Sequence, residues 1–455
     1  MVGLFYFLTI YCLLRGAAAV RGSGWYAAAL GTCALGMASK EVMVSAPVVA
    51  LLYDRIFIAG SFRKSLRRRR GLWLALASTW VLLALLVYSS HNRAGSAGFG
   101  LGITVWEYAR TQFGCIIHYL RLAFWPSPLV LDYGAPVART AAEIVPYAIA
   151  VFVLLAATVA VLALRPKLGF LGVWFFAILA PTSSIVPLPG QTEAEHRMYL
   201  PLAAVIALVT LCGFELGRRI PSAWHPARRT IGWGATGVLV LMLAILTVRR
   251  NAVYGSELAL WRDTVERCPS NPRAHYALAM ACGRAGRIGE AIGQYQQALR
   301  IKSDYIEARY NLGMTLQQAG RTPEAKERYD ETLQLKPDYA DAHNNLGNIL
   351  LQEGKITEAI DHYERALQIK PDYAEAQYNL GLALARQGRL PEAVIHFEQA
   401  LRFKPDYAEA HWALGMASEQ AGKARKAIGH YQQALRIKPD FTQAQDALAR
   451  LQASQ

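Results

Sequence analysis

From Pro272 onward the chain repeats every 34 residues, in five blocks running 272–305, 306–339, 340–373, 374–407 and 408–441. Small and aromatic residues at fixed places hold the register. Position 20 is Ala291, Ala325, Ala359, Ala393 and Ala427; position 24 is Tyr295, Tyr329, Tyr363, Phe397 and Tyr431. Gly286, Gly320, Gly354, Gly388 and Gly422 stand at position 15, and Pro337, Pro371, Pro405 and Pro439 fall near the ends of four blocks. Small residues let two helices approach, glycine makes the turn between them, and proline closes the second helix.

A 34-residue helix–turn–helix unit with this pattern is the tetratricopeptide repeat. Residues 442–455 read as a capping helix, and 251–271 as a linker with an unpaired helix over 256–268. Stacked repeats form a solenoid with a concave groove lined by first helices. Positions 5 and 6 of those helices carry Tyr276, Tyr310, Tyr378 and Trp412, and Asn311, Asn345 and Asn379. Stacked asparagines offer a donor and an acceptor each, which suits an extended peptide backbone. The row resembles the asparagine ladder in the superhelix of O-linked N-acetylglucosamine transferase. Tyr310, Asn311, Asn345, Tyr378, Asn379 and Trp412 are therefore the expected peptide contacts. The alternative is that Tyr-Asn-Leu-Gly is ordinary consensus for this repeat.

The first 250 residues have another character. They hold 23 Lys and Arg against 8 Asp and Glu, whereas residues 251–455 hold 25 of each, so the whole formal charge of +15 belongs to the first part. Apolar runs near 2–14, 25–38, 42–58, 72–88, 146–164, 168–186, 198–216 and 231–248 mostly approach the roughly 20 residues needed to cross a bilayer. The expected fold is thus all-α: a multispanning membrane domain over 1–250, of about eight spans, then a solenoid. A stretch at 103–125 mixes aromatic and charged residues and reads as an interfacial amphipathic helix or a tilted span.

The basic residues lie in short loops between apolar runs, as cytoplasmic anchors do. Arg63, Lys64 and Arg67 to Arg70 form the strongest anchor. Alternating from there also puts Arg15/Arg21, Arg165/Lys167 and Arg218/Arg219/Arg228/Arg229 inside. The outer side then receives Lys40/Glu41, the 89–145 loop, the Thr192–Arg197 loop and the repeats. Met1 also falls outside, which implies a span or signal upstream of this sequence. No zinc-finger spacing, RNP pattern or basic groove appears, so nucleic acid is not an expected partner. Six scattered cysteines form no disulfide framework.

No P-loop, Rossmann glycine pattern, HExxH or nucleophile elbow is present, and no metal or cofactor is expected. The polar residues beside apolar runs remain. Ionisable groups there are costly to hold and usually mark a site that handles charge. Lys40, Glu41, His196, Arg197 and Tyr199 form the expected binding set. Arginine suits a lipid phosphate, and His or a carboxylate suits acid–base work. Asp132 and Glu193 read as interface anchors.

The segments S-K-E-V-M-V-S-A-P (39–47), L-L-Y-D-R (51–55), P-T-S-S-I-V-P (181–187) and A-E-H-R-M-Y-L-P (194–201), followed by the repeats, resemble the transmembrane and tetratricopeptide-repeat protein O-mannosyltransferase family. The resemblance implies a GT-C membrane fold in an integral, bacterial inner-membrane protein. It implies transfer of a sugar, mannose by family, from a polyprenyl-phosphate carrier to Ser or Thr outside the cytoplasm. It places the donor side at Lys40 and Arg197, and the acceptor protein in the repeat groove. The family's acidic catalytic loop follows its first span, and Met1–Leu8 resembles its second span, so no catalytic residue is assigned and this form is expected to be inactive as a transferase. The competing reading is a non-catalytic, membrane-anchored scaffold for envelope proteins. A transporter would show repeated broken helices and buried midplane charges, and the sequence has neither.

Overall fold

Wherever the structure describes them, the apolar runs are helices. The computed structural model describes residues 1–20, 22–89, 104–124, 130, 132–133, 137–184, 200–218, a few positions between 237 and 249, and 251–453. The chain divides into two units, Met1–Ala274 and His275–Gln455.

In the first unit α1 (Val2–Ala18) and α2 (Ser23–Ser39) form a tight hairpin. A Cβ on Gly22 would stand 2.3 Å from the Gly16 carbonyl oxygen, so only glycine permits the approach. After Lys40 come a 3-10 turn (Glu41–Ser45), α3 (Ala46–Tyr53) and a π-helical turn (Asp54–Ala59). Gly60, at φ +77°, ends that run. Then follow α4 (Phe62–Ser89), α5 (Val105–Phe124), α6 (Ala141–Leu164), α7 (Pro166–Ser184), α8 (Leu202–Arg218) and α9 (Glu257–Arg267).

Among the described residues, three segments are long and apolar enough to cross a membrane: Val42–Ala59, Phe62–Leu86 and Ala141–Leu164. Val2–Ala18, Pro166–Ala180 and Leu202–Gly213 are shorter apolar helices. Their shared core gathers Tyr6, Leu13, Met37, Met43, Leu76, Tyr119, Trp174 and Ile178. α6 leaves Ile149, Phe152, Val153 and Val159 exposed by 59–65%. An apolar face of that extent needs lipid or a partner rather than water. α5 is amphipathic: Tyr108, Cys115, Tyr119 and Leu122 are buried while Arg110 and Arg121 stay exposed.

In the second unit the repeat blocks fold as helix pairs, here A and B. Repeat 1 pairs Pro272–Arg284, whose first residues belong to the preceding unit, with Ile288–Ile301. Repeat 2 pairs Ile306–Gln318 with Thr322–Leu335, and repeat 3 pairs Ala340–Gln352 with Ile356–Ile369. Repeat 4 pairs Ala374–Arg386 with Leu390–Phe403, and repeat 5 pairs Ala408–Gln420 with Ala424–Ile437. The position-15 glycines turn between A and B at φ of +68° to +82°, a region closed to most side chains. In repeats 2 to 5 the position-24 ring packs against the position-8 glycine of helix A: a Cβ on Gly347 would meet Tyr363 Cε1 at 2.7 Å. A closing helix, Thr442–Ala453, buries Ala444, Ala447 and Leu451.

Candidate binding face of the repeats and the polar residues of the apolar unit

Helix A recurs with the same orientation in each repeat, so equivalent positions line one face. There each position-6 asparagine reaches back to position 5 of the preceding repeat. Asn311 Nδ2 donates to the Tyr276 hydroxyl at 2.8 Å, and Asn345 Nδ2 to the Tyr310 hydroxyl at 3.0 Å. In repeat 4 Asn379 Nδ2 donates to Asn344 Oδ1 at 2.9 Å, because Asn344 replaces the tyrosine at position 5. Each of these asparagines thus spends one amide N–H between repeats. Ala413 occupies position 6 of repeat 5, so the row stops there.

The position-5 rings have partners of their own. Tyr310 packs on Tyr339 with centroids 5.0 Å apart, and Tyr378 on Tyr407 at 5.1 Å. Trp412 packs on Phe441 at 5.9 Å and on the closing helix. A lysine caps the outer ring, as Lys404 does over Tyr407 at 4.6 Å, and Lys404 also meets Glu375 at 3.0 Å. Burial, with Glu409 nearby, pushes the Tyr378 phenol up to about 12, so it stays neutral. One turn past position 5, Met280, Met314 and Met416 are 36–40% exposed. Sequence reasoning passed over this row, although its signal is present: methionine recurs four residues after the position-5 aromatic. Methionine is adaptable and recurs on surfaces that accept varied partners.

In the apolar unit, Lys40 sits at the break between α2 and the 3-10 turn, in extended conformation with φ −166° and ψ 145°. Its N–H bonds the Gly36 carbonyl at 3.1 Å and its carbonyl accepts from Met43 N–H at 3.2 Å. The break is pinned from behind, since a Cβ on Gly36 would meet Met43 Sδ at 2.9 Å and Tyr6 bonds Ser45 Oγ at 3.1 Å. Glu41 opens the turn, and its side chain lies outside the described residues. His196, Arg197 and Tyr199, with Glu193 and Glu195, also lie outside the described residues. The segment that follows is anchored at Leu200, whose carbonyl accepts from Trp174 Nε1 at 2.9 Å. Asp132 is buried: its carboxylate meets Arg273 Nη2 at 2.8 Å and its carbonyl accepts from Asn271 Nδ2 at 2.9 Å.

Among the described residues no three His, Cys, Asp or Glu gather as a metal site would require.

A TPR repeat model matches residues 282–320, 316–354, 347–388 and 384–422, and a second tetratricopeptide repeat model matches 408–441. The chain is 29% identical over 136 residues to Protein O-mannosyl-transferase Tmtc3 of Drosophila melanogaster, covering 30% of this chain and 14% of that protein. It is 27% identical over 125 residues to a protein O-mannosyl-transferase of Caenorhabditis elegans, covering 28% of this chain and 17% of that one. The chain therefore spans less than a fifth of the length of either curated relative. Among solved structures it is similar to YrrB, described as a TPR protein with an unusual peptide-binding site (TM-score 0.35, 23% identity, 41% of this chain and 96% of that one). It is also similar to Pseudomonas aeruginosa PilF (TM-score 0.39, 21% identity, 47% and 95%). The chain is an all-α protein in which apolar helices precede a tetratricopeptide-repeat solenoid, with distant, partial similarity to protein O-mannosyl-transferases.

Proposed function

We propose that this chain is a membrane-embedded, glycosyltransferase-like protein of O-mannosyltransferase type, with the repeats outside the cytoplasm. Lys40 and Arg197 hold the phosphate of a polyprenyl-phosphate sugar, with Glu41, His196 and Tyr199 beside them. The helix-A face of Tyr310, Asn311, Asn345, Tyr378, Asn379 and Trp412 holds the acceptor protein. One observation carries the reading: apolar helices and tetratricopeptide repeats share one chain, and that chain is similar to protein O-mannosyl-transferases from two animals. Cationic groups beside apolar spans suit a lipid phosphate. Asparagine amides and soft thioethers along one helix-A face suit an extended polypeptide.

The exposed methionine row favours a second reading, a membrane-anchored scaffold that binds proteins without chemistry. One experiment separates the two. The full chain in nanodiscs is given a photo-crosslinkable Ser/Thr peptide and a polyprenyl-phosphate mannose. Crosslinks to helix A with mannose on the peptide support transfer, crosslinks alone support the scaffold, and the absence of crosslinks to helix A overturns the acceptor-groove reading.

A further inference from the structure

α4 opens with six cations in eight positions, and the structure treats one of them differently from the rest. Arg63, Lys64, Arg67, Arg68 and Arg70 are exposed, and no carboxylate among the described residues bridges them. Arg69 turns inward. Its backbone leaves the helix at φ −130° and ψ 31°, its Nη1 meets Asp54 Oδ1 at 2.7 Å, and its Nε donates to the Tyr26 hydroxyl at 2.9 Å. The kink divides α4 into a cationic turn and an apolar run whose Leu72, Trp73 and Leu76 are buried.

The cationic turn has apolar residues of its own. Phe62 and Leu66, one helical turn apart, are 43% and 45% exposed, while Ser65 between them is buried and its carbonyl accepts from Trp73 Nε1 at 3.4 Å. Five uncompensated cations, two exposed apolar side chains and an adjoining apolar run match the layering of an acidic bilayer surface: phosphate outermost, acyl chain below. Single-stranded nucleic acid would want a free aromatic platform. The Phe62 ring is covered instead by the Arg55 guanidinium, 4.5 Å from its centroid.

We propose that Phe62–Arg70 is a docking strip for the headgroups of acidic phospholipids, with Arg63, Lys64, Arg67, Arg68 and Arg70 on the phosphates. Arg69 is the positioning residue: clamped by Asp54 and Tyr26, it holds the strip apart from the span. This rests on the reading of Val42–Ala59, and of α4 beyond its kink at Arg69, as membrane-crossing. It goes beyond charge-directed topology, because it assigns bound lipid to the folded protein.

The test is native mass spectrometry of the full chain in detergent, titrated with phosphatidylglycerol or phosphatidylcholine. Phosphatidylglycerol should bind in preference by about tenfold or more, and high salt should erode the preference. The R63Q/K64Q/R67Q/R68Q/R70Q variant should lose it, and the R63K/R67K/R68K/R70K variant, which checks that the fold tolerates the changes, should keep it. Millimolar inorganic phosphate should not displace the lipid. Equal binding of the two lipids, an undiminished preference in the Gln variant, or displacement by phosphate or by poly-U RNA overturns the proposal. A carbonate wash of membranes carrying the wild-type chain tests the underlying reading separately. Release by the wash refutes the membrane reading itself; retention with equal lipid binding refutes only the strip.

Discussion

The imidazoles of His343 and His362 meet Nδ1 to Nδ1 at 2.9 Å, and His343 Nε2 lies 3.0 Å from the Pro337 carbonyl oxygen. That carbonyl can only accept, so His343 carries its proton on Nε2 and its Nδ1 accepts from His362 Nδ1–H. The pair joins position 4 of helix A to position 23 of helix B. Equivalent polar pairs recur along the solenoid: His275 with Gln294 at 2.7 Å, Gln377 with His396 at 2.7 Å, and His411 with His430 at 3.4 Å.

Acidification should loosen repeat 3. Burial first, then His343 and Arg365, push His362 down to about 4, with Asp361 opposing and Lys326 adding to the shift. Burial, with Arg365 nearby, also lowers His343 against the opposing Pro337 carbonyl. A histidine whose folded pKa lies below its unfolded value favours unfolding once protonated. This contribution is therefore intact above about 6.5 and is lost as pH falls through about 4. The melting temperature of the full chain, followed by circular dichroism, should fall over that window. It should fall less in H362Q, because glutamine already serves at the equivalent place in repeat 1.

The first unit has a buried ion pair of its own, Asp54 with Arg69, their side chains 0% and 10% exposed. Removing one member leaves a buried charge, at a cost of about 3–5 kcal/mol. D54A should lower the melting temperature of the detergent-solubilised chain sharply. D54L/R69M, which removes both charges, should recover most of the loss. A double variant no more stable than D54A would show that the pair is not the main tie.

The repeats were the most legible part of the chain, because each of their rules is local. The ring at position 24 and the glycine at position 8 meet within one 34-residue block, so the period alone carries that packing. The asparagine row was visible too, but its hydrogen bonds were not: the partner of Asn345 is Tyr310, 35 residues away, and nothing in either residue type says which amide atom is used. Asp54 was legible only as part of L-L-Y-D-R. Its pairing with Arg69 depends on a kink inside a helix, which composition does not encode. The Arg63–Arg70 run read as one block of six cations, whereas the fold withdraws Arg69 from it. Lys40 could be placed from its position between two apolar runs.

The asparagine ladder should be energetic as well as geometric. N345A and Y310F each remove one end of the 3.0 Å bond from Asn345 Nδ2 to the Tyr310 hydroxyl. A double-mutant cycle by chemical denaturation should return a coupling of about 0.5–1.5 kcal/mol. Zero coupling would mean that the amide faces the groove in solution and is free to meet a peptide.

Two glycines in different repeats should respond to alanine with opposite signs. Gly347 lies under the Tyr363 ring, where a Cβ would stand 2.7 Å from Cε1 and 3.0 Å from Cζ. Tyr363 is fully buried and its hydroxyl donates to Asn348 Oδ1 at 2.7 Å, so the ring cannot withdraw without giving up both packing and a hydrogen bond. G347A should cost about 1–3 kcal/mol, as overpacking a tight core does. Gly293 lies within the Ile288–Ile301 helix, where a Cβ would meet nothing within 4 Å. There alanine only restricts the unfolded chain and improves helix propensity, so G293A should gain about 0.5–1 kcal/mol. Denaturation midpoints of the two variants, measured side by side, should move in opposite directions from the wild type. A shared direction would break the link between the glycine pattern and helix packing in this solenoid.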